Sequence, residues 1–88
     1  MTRRFLVSGR VQGVGFRWFA GRIAEAFDIR GWVRNADDGS VEILACGTPE
    51  NLRSFKEQIE IGPTSARVDR VEDEERPEER FDGFIVKR

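Results

Sequence analysis

Between Arg4 and Val11 apolar and polar residues alternate, with Phe5, Val7 and Val11 on one face and Arg4, Ser8 and Arg10 on the other. That period of two predicts a strand with one buried side. Gln12-Gly13-Val14-Gly15 breaks the alternation. From Phe16 the period lengthens: Phe16, Phe19, Ala20, Ile23, Ala24 and Phe27 recur at helical spacing, which predicts an amphipathic helix from Phe16 to about Asp28.

The pattern then returns to strands over Ile29 to Asn35 and Val41 to Gly47, joined by Ala36-Asp37-Asp38-Gly39, whose Asp-Gly step favours a tight hairpin. Thr48-Pro49-Glu50 reads as an N-cap, a proline at the first helical position and an acidic first turn. Leu52, Phe55 and Ile59 would face the core, and Gly62-Pro63 would stop this second helix. Ala66 to about Asp73 predicts a strand of weak alternation, and Phe84-Ile85-Val86 a short terminal one. Glu72 to Arg80, with six acids and two arginines around Pro77, reads as a solvated connection.

The order βαββαβ with a small extra strand predicts an α+β, ferredoxin-like (split βαβ) sandwich. Two helices would cover one face of a four- to five-stranded, mainly antiparallel sheet. Eighty-eight residues suffice for one such domain, spanning 1–88, and not for two. In this topology the first and second strands run in the same direction on either side of the third. The loop after Val11 and the end of the second strand at Asn35 should therefore emerge at the same end of the sheet, bringing Arg17 near Asn35 across a wide gap in sequence.

Composition narrows the functional classes. The net charge is −1 and the sequence pI about 5.5, so no overall basic field favours nucleic acid or an anionic membrane. The charges are unevenly distributed: seven Arg against two acids through Arg34, then eight basic against fourteen acidic residues. Cys46 stands alone, which excludes an internal disulfide and fits a reducing compartment. No apolar run approaches membrane-spanning length and Met1-Thr2-Arg3-Arg4 leads straight into a strand, so a cytoplasmic protein is expected.

Gln12 to Arg17 forms a glycine-containing loop between strand and helix, ending in a cation at the first helical turn. Such a loop can turn successive backbone N–H groups into one concavity, where the helix N-terminus and a guanidinium suit a phosphoryl group. Neither Gly-Lys-Ser/Thr nor a third dinucleotide glycine follows, since Trp18 occupies that place. Read alone, the loop equally serves a tight β–α turn, and Asn35 equally starts the hairpin. Asp37 and Asp38 read as turn-formers and Cys46 as a packing residue; with no His in the chain, no metal and no cofactor are expected. Trp18 and Trp32 read as core or rim packing.

Val7-Ser8-Gly9-Arg10-Val11-Gln12-Gly13-Val14-Gly15-Phe16-Arg17 resembles the first signature of the acylphosphatase family, and Gly31-Trp32-Val33-Arg34-Asn35, followed by Gly39, Val41 and Gly47, resembles the second. The likeness extends to Gly62-Pro63 and Gly83-Phe84. It implies a ferredoxin-like fold and hydrolysis of an acyl phosphate to carboxylate and inorganic phosphate. It also implies that Arg17 binds the phosphoryl group, that Gln12, Gly13, Val14, Gly15 and Phe16 form its cradle, and that Asn35 positions the attacking water. Asp28 departs from the pattern, standing where such enzymes often have Gly, and Asp tolerates left-handed backbone angles better than most residues.

The chemistry fits a chain without His. An acyl phosphate releases a stable carboxylate, so charge stabilisation and alignment of water suffice. Asn35 can hold water and cannot take its proton, which a substrate oxygen would accept. Working as a monomer on a small molecule, without nucleic acid or membrane, is the expected mode. The alternatives are a non-catalytic acyl-phosphate or carbamoyl-phosphate binding module, as in larger carbamoyl-transfer maturation proteins, and an RNA-binding sheet. The RNA reading is disfavoured because Phe16 and Phe19 fall on the buried stripe of a helix.

Overall fold

A computed structural model describes residues 1–88. Strand β1 (Thr2–Arg10) leads into helix α1 (Phe16–Ala26), strands β2 (Arg30–Asn35) and β3 (Val41–Cys46), helix α2 (Pro49–Ile61), and strands β4 (Arg67–Arg76) and β5 (Phe84–Val86). One five-stranded sheet runs in the order β4-β1-β3-β2-β5. Every neighbouring pair is antiparallel except β2 with β5, which are parallel. The ferredoxin-like expectation holds, with the fifth strand present. Neither helix is long and apolar enough to cross a membrane.

The helices form where the punctuation predicts. Thr48 caps α2 by accepting a hydrogen bond from the Asn51 backbone N–H at 3.1 Å, with Pro49 following in the first turn. Helix α1 closes slightly earlier than periodicity alone indicates. Phe27 is its C-cap, and Asp28 then takes the left-handed conformation at φ 54°, the only non-glycine residue at positive φ. The Ile29 N–H reaches back to the Ala24 carbonyl at 2.8 Å, so Asp28 does the work of a helix-ending glycine.

Phe5, Val7, Val33, Ile43 and Ala45 from the sheet meet Phe16, Ala20 and Ala24 of α1 and Leu52, Phe55 and Ile59 of α2 in a single buried cluster. The Phe5 and Phe55 rings lie 6.0 Å apart and tilted by 47°, an attractive aromatic arrangement in the middle of the core. Phe16 and Phe19 also pack ring against ring at 5.8 Å, Phe16 fully buried within this cluster and Phe19 partly buried against it. The feature on which an RNA-binding surface would rest is thereby spent on packing.

The acidic tract departs from expectation. Instead of a connection starting at Glu72, β4 continues through Arg76 and pairs with β1 as far as Thr2. Strand β1 is nine residues long and must satisfy its outer backbone groups, and its cations supply cross-strand partners. Arg3 pairs with Asp73, which Lys56 also contacts at 3.1 Å, and Arg4 stands opposite Glu74 in register. Only Pro77 to Gly83 connects to β5. This connection is pinned where Thr2 Oγ1 donates to Glu78 at 2.9 Å. The charged outer edge of β4 discourages pairing with a second sheet.

On the face of the sheet away from the helices, Glu42 sits in a clasp between Arg4 and Arg34. Burial by itself would raise its pKa, yet the hydrogen bonds from the two guanidinium groups prevail and hold the carboxyl below its usual value. The folded state thus binds this proton less tightly than the unfolded chain. The stabilisation is complete above the ordinary Glu pKa of about 4.3 and is lost as pH falls through the lower folded value. Urea midpoints measured from pH 7 down to pH 3 should therefore converge between wild type and Glu42→Gln as the solution is acidified. Curves that stay parallel would remove this role from Glu42.

Candidate active site

The site is built at the end of the sheet where β1 and β2 both terminate. Because each is antiparallel to β3, they run in the same direction, and the β1–α1 loop emerges beside Asn35. Gln12 joins the two segments: its side-chain amide donates to the carbonyls of Ala36 at 2.8 Å and Ser40 at 2.9 Å, bracing the loop against the β2–β3 hairpin. Asp38 completes that hairpin by accepting from both the backbone N–H of Ser40 at 3.0 Å and its hydroxyl. This is the turn-forming role, and these bonds hold the Asp38 carboxyl below its ordinary pKa.

Gly13 and Gly15 give the loop its shape. Their φ angles are 74° and 79°, left-handed values that cost an L-residue strain. Gly15 is the N-cap of α1 and has no side chain with which to cap it. The first-turn amides of Phe16, Arg17 and Trp18 lack intrahelical acceptors by the geometry of any helix start, and here they border an open pocket of about 380 Å³. Partial positive charge at the helix end adds to the cation of Arg17.

Gly13, Gly15, Phe16, Arg17 and Asn35 all line that pocket. The two residues expected to act together, eighteen positions apart in sequence, do share one cavity. Arg17 is half-buried, and its Nη1 donates to the Lys87 carbonyl at 2.6 Å. No carboxylate lies within salt-bridge distance, so its charge is not neutralised by the protein. Asn35 ends β2, and its Oδ1 is buried with no protein donor. An unmet buried acceptor costs about 1–3 kcal/mol, so its presence here calls for an explanation.

Two members of the expected cradle stand apart. The Gln12 side chain is spent on the hairpin brace. Val14 packs against the core and accepts from the Ser65 hydroxyl through its carbonyl at 2.9 Å. Neither borders the pocket, whereas Trp18, Val86 and Arg88 do. Trp18 carried a usable signal, since it lies off the apolar stripe of α1 and is therefore not needed in the core. Val86 carried none; its parallel pairing with Val33 puts it there.

Comparison with known proteins agrees with this geometry. The family model described as Acylphosphatase matches residues 3–86. A protein of Koribacter versatilis called acylphosphatase is 48% identical over 86 residues, covering 97% of this chain and 78% of its own length. The crystal structure of acylphosphatase from Bacillus subtilis superposes with a TM-score of 0.94 at 41% identity, covering 99% of this chain and 98% of that one. Full-length HypF in its phosphate- and nucleotide-bound form matches with a TM-score of 0.87 at 27% identity, over 98% of this chain and only 11% of the longer one. Shared length, shared fold and two ordered motifs that converge on one pocket lead to a single assignment: this chain belongs to the acylphosphatase family.

Proposed function

We propose that the protein hydrolyses acyl phosphates to a carboxylate and inorganic phosphate, with Arg17 and the loop amides binding the phosphoryl group and Asn35 orienting water. The observation that carries this reading is the meeting of an unneutralised guanidinium, a capless helix start and the side-chain amide of Asn35 in one pocket. Arg17 already spends one N–H on Lys87 and keeps the rest of its fork for phosphoryl oxygens.

The Asn35 side-chain amide, able to donate as well as accept, holds a water with a lone pair turned toward phosphorus. The water oxygen forms the new P–O bond while the bond from phosphorus to the acyl oxygen breaks, and the electron pair leaves on the carboxylate. The proton of the attacking water passes to a phosphoryl oxygen, since Asn35 cannot hold it. Charge accumulating on the equatorial oxygens is met by Arg17 and the amides, so the catalytic effect is electrostatic and positional.

The same reading has the enzyme acting as a monomer in the cytoplasm on a small molecule, without nucleic acid, membrane, metal or cofactor. The charged outer edge of β4 and the lone Cys46 support it. The test is hydrolysis of benzoyl phosphate by purified protein in EDTA. Turnover is expected at the same rate with and without chelator, because the pocket is lined by no carboxylate or imidazole side chain. Absence of turnover by the folded protein would leave a binding module instead.

A further inference from the structure

The pocket is several times larger than a phosphoryl group, and beyond the cradle its lining includes the apolar side chains of Trp18 and Val86 together with Arg88. Among the large hydrophobic residues left exposed on this protein are Trp18, 70% accessible, and Val86, 40% accessible, and both border this cavity. They arrive from different elements. Trp18 stands in the first turn of α1 immediately after Arg17, and Val86 closes β5 at the edge of the sheet. Helix and strand touch here, since a methyl group on Gly21 would lie 3.0 Å from Val86 Cγ2, one turn along α1 from Trp18. The strand order brings the cradle in from the β1 side and this apolar pair from the β5 side, with Asn35 between them.

Resting on the acyl-phosphate reading above, we propose that Trp18 and Val86 form the subsite for the acyl group and select substrates with an aromatic or bulky apolar acyl part. The phosphoryl end is held by Arg17 and the loop amides, and every acyl phosphate offers the same phosphoryl group, so discrimination has to come from the other half of the molecule. An indole face exposed beside the scissile bond offers stacking and desolvation to a benzoyl ring and little to an acetyl group. Trp18 is a specificity-determining residue in this scheme, touching the substrate away from the reacting atoms.

The experiment compares kcat/KM for benzoyl phosphate and acetyl phosphate in wild type, Trp18→Ala and Trp18→Phe. Wild type should favour benzoyl phosphate. In Trp18→Ala the ratio should fall about tenfold, mainly through a higher KM for benzoyl phosphate, the size expected for losing one aromatic contact. Trp18→Phe should recover most of the ratio. An unchanged ratio in Trp18→Ala overturns the subsite while leaving the hydrolase intact. Failure of folded wild type to hydrolyse either compound overturns the acyl-phosphate reading and the subsite with it.

Discussion

Arg17→Ala should lower kcat/KM for an acyl phosphate by about a thousandfold or more, the range seen when a charge clamp on a transferring phosphoryl group is removed. That loss corresponds to roughly 4 kcal/mol of transition-state stabilisation. The fold should survive. Arg17 forms no salt bridge and lies outside the buried cluster, and its one protein hydrogen bond, to the Lys87 carbonyl, is exposed. The urea midpoint should therefore shift little while inhibition by inorganic phosphate disappears. Arg17→Lys should recover only part of the activity, because an ammonium supplies the charge without the planar fork that grips two oxygens. Retention of phosphate inhibition in Arg17→Ala would move the anion site elsewhere.

Asn35→Ala should separate binding from turnover. Phosphate affinity should stay near that of wild type, since the cradle is untouched, while kcat falls by about a hundredfold or more as the attacking water loses its anchor. Stability should remain the same or rise. The substitution removes a buried oxygen that no protein group satisfies, so the folded state sheds a cost instead of a contact. Steady-state kinetics, phosphate inhibition and urea unfolding on the same preparation check all three expectations. Near-normal kcat would end the water-positioning role. A marked loss of stability would show that the Asn35 side chain holds the hairpin together.

Both residues were visible in the sequence for reasons of different strength. Arg17 gave a local hint: a glycine-bearing turn, a helix start and a cation within six residues suit an anion, and the same loop equally serves a tight β–α turn until the family's first motif is recognised. Asn35 did not, because an asparagine at a strand end before an Asp-Gly turn is ordinary. It acquired meaning from the family's second motif and from a topology that sends β1 and β2 in the same direction. Gln12 lies within the motif, yet its side chain braces the hairpin, a division of labour that depends on where the Ala36 and Ser40 carbonyls lie.

The sequence supplied the element order, the helix starts and the core, because periodicity and capping are local: Thr48-Pro49 starts a helix whatever lies across the sheet. It also determined the ferredoxin-like topology, since few arrangements bury two amphipathic helices and four strands in so short a chain. The tertiary structure alone decided that Glu72 to Arg76 is a strand, because that segment's preference for solvent yields only to the unpaired edge and the cations of β1. It alone decided that Trp18 and Val86 meet at the pocket, and that Asn35 Oδ1 is left without a donor. These are contacts between residues remote in sequence, and no short-range pattern encodes them. Their energies depend on the distances that folding creates.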